Sequence, residues 1–170
     1  MIIAATERLI FRTLDLSDAE DLYRIYSNPE TMRFMGKGSV SVEEERGRIE
    51  NHIRNYYERY GFGLWATVLK ENNRLIGRCG LLYQEIGGVK DLELAYLLDP
   101  VYWGKGLATE AAAAIVKLGF TGYDFKRIIA VINSQNTASI RVAEKVGLSF
   151  EKELPNYKDF GRVSVYSLER

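Results

Sequence analysis

Apolar and polar positions follow two rhythms along this chain, and each change of rhythm marks an element. "RLIFRTL" (residues 8–14) has the composition of a strand. "DLSDAEDLYRIYS" then opens a helix with Ser17 and Glu20 in capping-box spacing, running to about Ser27. After the loop "NPETMRFMGKGSV", Ser41 and Glu44 repeat that spacing. Ile49, Ile53, Tyr56 and Tyr60 recur at helical intervals until Gly61 ends the helix. The rhythm next shortens to the strand-like runs "FGLWATVL", "RLIGRCGLLY" and "LELAYLL". Turn-rich links, "KENN" and "QEIGGVKD", join them, and links this short favour an antiparallel meander. A helix from about Ala108 to Phe120, a strand at 127–132, a helix from about Thr137 to Val146 and two closing strands around "SFEKEL" and "VSVYSLE" complete the chain. The order β-α-α-β-β-β-α-β-α-β-β, about seven strands and four helices, predicts a mixed α/β (α+β) architecture.

Composition narrows the possibilities. With 170 residues, 46% of them hydrophobic, the chain is expected to form one globular domain over 1–170. Its 23 basic residues balance 23 acidic ones, so no long-range field recruits nucleic acid or an anionic membrane. "MIIAATERL" is too short for a signal-peptide core, and no apolar run approaches the ~20 residues of a membrane span; a cytoplasmic protein is expected. One cysteine, Cys79, and one histidine, His52, provide neither an internal disulfide nor an ordinary zinc site, and no metal is expected. His52, beside Asn51 and Arg54, reads as solvent-exposed. Cys79, between Arg78 and Gly80, reads as a small packing residue, which argues against a cysteinyl intermediate.

The chemistry concentrates in "DPVYWGKGLATEAAAAIVKLGF" (99–120). A strand ends near Leu98, Pro100 stops it, and Leu107, Ala111, Ala114, Ile115 and Leu118 share one helix face, leaving 101–106 as the turn. The first N–H groups of a helix lack internal partners and the aligned dipoles favour an anion, so a loop without Cβ atoms at Gly104 and Gly106 suits a pyrophosphate. The competing reading is that these glycines only permit a tight turn. Lys105 lies between the glycines rather than after the second, which disfavours a Walker loop. Thr109 in place of a third glycine, and a following strand ending Val131, Ile132, Asn133, disfavour a dinucleotide site.

"YWGKGLATEA", followed about 25 residues later by "NSQNTASIRVAEKVGLSFEKEL", resembles the two acyl-CoA motifs of the GNAT acetyltransferase superfamily, and within it the RimJ/RimL ribosomal-protein N-terminal acetyltransferase branch. The likeness covers nearly the whole chain. It implies acetyl-CoA as co-substrate, an amine acceptor (a protein N-terminus or a small molecule), and direct attack in a ternary complex. The family's motif positions fall here on Trp103, Gly106 and Ala108, and Trp103 departs from the superfamily's usual glutamine or arginine. Amides over Gly104, Lys105, Gly106, Leu107, Ala108 and Thr109 would hold the CoA pyrophosphate. Asn136 would bond the pantetheine arm, although asparagine there also reads as a helix N-cap.

The resemblance also implies a catalytic set. Ser139 would stand toward the cofactor sulfur, whereas the tyrosine that many members carry four residues later is Ala143 here. Since a thiol has a pKa of ~8 to 9, no strong acid is required for its departure. An amine must lose a proton to attack, and Glu93 is the candidate base, an acidic interruption of an apolar strand on the face shared with Ala95 and Leu97. Its competing reading is a surface carboxylate on an outer strand. The alternative glutamate of another branch would fall on Val131, which closes that route. The amide near Leu98 would polarise the acetyl carbonyl. Tyr96 would line the channel or simply pack. Phe34 and Tyr157, with Met35 and Phe160, sit in the loops 28–38 and 155–162 where the family builds its acceptor pocket. Gly147 reads as a structural helix stop with Leu148 as its apolar contact. A homodimer through exposed strands is a further expectation. The alternative to an enzyme is a CoA-binding sensor of the same fold without turnover.

Overall fold

The computed structural model describes residues 1–170. Eight strands form one sheet: β1 (Ile2–Ala5), β2 (Leu9–Arg12), β3 (Leu64–Leu69), β4 (Arg74–Ile86), β5 (Val89–Leu98), β6 (Arg127–Asn133), β7 (Ser149–Leu154) and β8 (Val163–Glu169). Their spatial order is β1-β2-β3-β4-β5-β6-β8-β7. Every neighbouring pair is antiparallel except β5 and β6, which run parallel. The helices are α1 (Ala19–Tyr26), α2 (Pro29–Met32), α3 (Val42–His52), α4 (Glu58–Tyr60), α5 (Leu107–Gly122) and α6 (Thr137–Lys145).

The expected mixed fold and meander are present, with several differences in detail. "MIIAATERL" contributes β1, an additional strand that its short, half-exposed "IIAA" does not announce. A 3-10 turn (Leu16–Asp18) leads into α1, and the capping box belongs to that turn, on Asp15 with Asp18 and not on Ser17 with Glu20. Asp15 accepts from the Ser17 amide at 2.8 Å, while the Asp18 carboxylate accepts from the Asp15 amide at 3.0 Å. The expected loop at 28–38 contains α2, started by Asn28 and Pro29. Most of "QEIGGVKD" is strand, so the β4–β5 hairpin turns on Gly87 and Gly88 alone. Ser41 does cap α3, accepting from the Glu44 amide at 3.1 Å, and the helix passes through a π turn (Ile53–Tyr57) before Gly61, at φ +74°, ends α4.

Strand alternation divides the core between the two faces of the sheet. On one face Trp65, Cys79, Leu81 and Leu94 pack with Ile115 of α5 and Ala143 of α6. On the other, Ala66, Val68 and Leu75 pack with Leu22 and Ile25 of α1 and Ile49 of α3. α5 therefore covers the face opposite α1 and α3, and its entry turn lies directly after the C-terminal end of β5.

His52 is not exposed as expected. Its Nε2 accepts from the Leu64 amide at 2.8 Å, and its ring stacks on Tyr56 and meets Tyr57 edge-on. Burial drives its pKa down to about 4, with Arg78 adding to the effect, so the ring is neutral at pH 7. Cys79 is fully buried, and desolvation pushes its thiol far above the ordinary range, as suits a packing residue.

Candidate active site

Two features of the central strands create the site. The parallel ladder of β5 and β6 is in register only at Glu93 and Ile129. Beyond that rung the strands part, and a cavity of about 350 Å³ enters between residues 94–97 of β5 and 131–133 of β6. The second feature is the entry to α5. Gly104 and Gly106 sit at φ +74° and +75°, left-handed conformations that favour glycine. Gly106 is the N-cap residue and offers no side-chain cap. The N–H groups from Gly104 to Thr109 donate to no other group of the chain. An added Cβ at Gly104 meets nothing within 4 Å. The loop thus presents a row of unpartnered donors at a helix N-terminus, on an accessible surface, which fits a diphosphate.

The turn is anchored from several directions. Buried Asp99 pairs with Arg24 of α1 and accepts from the Val101 amide at 3.2 Å. The Trp103 indole N–H donates to the Leu98 carbonyl at 2.8 Å, so this side chain braces the turn. Lys105 is exposed and its carbonyl accepts from Arg8 at 2.9 Å. Arg8 also donates to Glu110 at 2.6 Å, and Thr6 donates to the same carboxylate at 2.6 Å. This Thr6–Arg8–Glu110 cluster ties the β1–β2 turn to the first turn of α5. No local pattern announces it, because Glu110 stands 104 residues from Thr6 and 102 from Arg8. Leu107 is buried in the core, which leaves Ala108 and Thr109 half-buried at the helix start.

The second helix start differs. Asn136 accepts from the Ser139 amide at 3.2 Å, which makes it the N-cap of α6, and it also lines the cavity. Ser139 Oγ donates to the Tyr96 hydroxyl at 3.0 Å, and that hydroxyl donates to the Ser139 carbonyl at 2.7 Å. Burial holds the Tyr96 phenol well above its ordinary range, so it stays protonated. α6 ends in a Schellman turn: Gly147 at φ +99°, its N–H on the Glu144 carbonyl, and the Leu148 N–H on that of Ala143 at 3.0 Å.

Glu93 stands on the fifth of eight strands in spatial order, so it is not on an outer strand. It lines the cavity half-buried, and its Oε2 accepts from Gln84 at 2.9 Å. Lys158 in turn donates to Gln84 at 2.8 Å. Burial raises the Glu93 carboxyl to about 7, against the lowering influence of the Gln84 bond and the Lys158 charge. Gln84 and Lys158 were not anticipated, since only the β4–β5 register brings them beside Glu93. Phe34, Met35, Tyr157 and Phe160 close the cavity, so the two expected acceptor loops meet over it. Tyr157 is 9% exposed, and its hydroxyl has no hydrogen-bond partner.

The sheet is thus split beside its parallel strands, with a carboxylate lining the opening and a glycine turn of unpartnered amides at the end of β5. Residues 8–149 match the family model described as "Acetyltransferase (GNAT) domain", and the chain belongs to that family. A curated relative, the uncharacterized N-acetyltransferase p20 of Bacillus licheniformis, is 34% identical over 87% of this chain and 82% of its own. The crystal structure of an acetyltransferase (GNAT family) from Bacillus anthracis superposes with a TM-score of 0.80 at 28% identity, covering 99% of this chain and 98% of that one. RimL, a ribosomal L7/L12 alpha-N-protein acetyltransferase solved with coenzyme A, shares the fold with a TM-score of 0.83 at 18% identity, covering 99% and 98%. No helix is long and apolar enough to cross a membrane.

Proposed function

We propose that this GNAT-type acetyltransferase moves an acetyl group from acetyl-CoA to a primary amine by direct attack, with both substrates bound at once. The observation that carries the reading is that β5 holds a cavity-lining carboxylate near neutrality at Glu93 and leads at its C-terminal end into the unpartnered amide row at Gly104–Thr109. The amides from Gly104 to Thr109 would hold the diphosphate, and Asn136, beside the split, the arm that follows it. Acetyl-CoA supplies an activated thioester, whose acetyl carbon bonds to the amine nitrogen as its bond to sulfur breaks.

The chain's own groups manage the protons. Glu93 accepts the amine proton on a carboxylate oxygen, and Gln84 holds that carboxylate in place. Ser139 Oγ is the proposed hydrogen-bond donor to the departing sulfur. Turning the two hydroxyls about makes Tyr96 donate to Ser139 and frees the serine O–H for that bond, which partly replaces the tyrosine absent at Ala143; the thiolate, whose thiol has a pKa of ~8 to 9, takes its proton from solvent. The Leu98 amide remains the proposed donor to the acetyl oxygen. Phe34 and Tyr157 would pack against the acceptor.

A thiol-release assay over a panel of amines tests this. Turnover on at least one amine is expected, falling at least about tenfold in Glu93→Gln while CoA affinity by calorimetry is kept. Undiminished turnover in that variant removes Glu93 from the mechanism.

A further inference from the structure

Away from Glu93, the cavity wall is cationic. Lys37, Arg48 and Arg78 all line it. Arg48 is engaged, donating to Glu44 at 2.7 Å and to Ser39 at 3.1 Å. Arg78 is not. Its side chain is only 12% exposed, its Nε–H donates to the Tyr26 hydroxyl at 2.9 Å, and its guanidinium lies 4.5 Å from the centre of that ring. Neither terminal nitrogen donates to any group of the chain. The nearest carboxylate is the fully buried Glu45, 3.8 Å from Nη1, beyond hydrogen-bond reach, and its Oε1 is itself unpartnered. Three cations, Lys37, Arg48 and Arg78, thus face two carboxylates, Glu44 and Glu45, and His52 nearby is neutral. A planar fork held against an aromatic ring with its terminal N–H groups unused is the form that pairs with a carboxylate through two parallel bonds.

Register fixes where this fork stands relative to Glu93. Leu82 is opposite Glu93 across the β4–β5 ladder and Arg78 is opposite Leu97, so both groups project from one face of the sheet. The four-residue step from Leu82 to Arg78 is about 13 Å of strand. The carboxylate of an α-amino acid lies too close to its own amine to reach from one group to the other. A carboxylate about two to four peptide units away, at ~3.3 Å each, with ~2.8 Å of hydrogen-bond reach added at either end, spans the distance. We infer that the acceptor is a primary amine bearing a carboxylate at that remove, its amine at Glu93 and its carboxylate on the Arg78 fork; a polyamine is disfavoured by the cationic wall. This rests on the acetyl transfer proposed above.

The test uses the full chain, acetyl-CoA and matched acceptors: peptides with an amidated C-terminus carrying aspartate or asparagine at the third position, long-chain ω-amino acids against their carboxamides, and spermidine. The acid member of a pair is expected to exceed its amide at least about tenfold in kcat/KM, mostly through KM. A preference among the peptides alone identifies a protein N-terminus as the source of the acid; a preference among the ω-amino acids alone identifies a small molecule. In Arg78→Met the acid-to-amide ratio falls to about one, whatever the absolute rate. Arg78→Lys keeps part of it, and Lys37→Glu, at an exposed position that does not strain the fold, lowers it about two- to threefold. Equal rates for acid and amide in the unmodified protein, or a preference for spermidine, overturn the inference while leaving acetyl transfer in place. No turnover on any acceptor overturns both.

Discussion

The start of α5 and the floor of the cavity beside β5 are built from different materials. At the helix start the groups proposed to work are main-chain amides, and side chains only brace them: Trp103 on the Leu98 carbonyl, Arg8 on that of Lys105. On the floor the groups proposed to work are side chains, Glu93, Tyr96 and Arg78, each aimed by strand register and by a partner such as Gln84, Ser139 or Tyr26. A backbone site is indifferent to most substitutions but intolerant of a Cβ with the wrong charge. A side-chain site is the reverse, since its geometry survives when one functional group is removed.

The largest effect expected from that contrast is at Gly106. Gly106→Glu adds a carboxylate beside the unpartnered amides and forces φ +75° on a residue with a Cβ. CoA affinity measured by calorimetry is expected to fall at least about a hundredfold, and unchanged affinity would move the cradle elsewhere. Next, Glu93→Gln is expected to cut kcat/KM about ten- to a hundredfold at pH 8 with CoA binding kept, which separates the two halves. In the unmodified protein kcat/KM is expected to rise through about pH 7 as Glu93 ionises; a profile flat from pH 5.5 to 8.5 would contradict its role.

Stability gives an independent reading of the same carboxylate. Its folded pKa lies above the unfolded value, so its contribution is fully present below about pH 4.5 and is lost as pH rises through about 7. Glu93→Gln is therefore expected to melt above the unmodified protein at pH 8, with the gap closing by pH 4.5; a lower melting point at pH 8 would show that the carboxylate is not desolvated. Smaller again is Tyr96→Phe, which leaves Ser139 without its hydroxyl partner and is expected to lower kcat about three- to tenfold. Asn136→Ala, which removes a helix cap, is expected to cost about 1 kcal/mol in chemical denaturation. Full stability in that variant would free Asn136 for ligand binding alone.

The contrast also explains what the sequence disclosed. Features set by local turn chemistry were readable: the Gly104–Gly106 junction, the Ser41 cap and the Gly147 helix stop all depend on a few adjacent residues. Ser17 is not the cap because a capping box two residues earlier, Asp15 with Asp18, takes the Ser17 and Asp15 amides. β1 was missed because an edge strand with one neighbour needs little alternation. His52 looked exposed from its polar neighbours, yet the approach of β3 buries it against the Leu64 amide. Arg8 with Glu110, Lys158 with Gln84, and Arg78 with Tyr26 are brought together only by the finished fold.

The single rung between β5 and β6 carries a mechanical consequence. A sheet joined at its middle by one registered pair behaves as two stiff plates sharing a seam. Backbone groups along the open edges look for partners across it. Whatever lodges there doubles as a rung, so occupancy should slow amide exchange on both edges together and make the protein harder to melt, coupling rigidity to substrate supply.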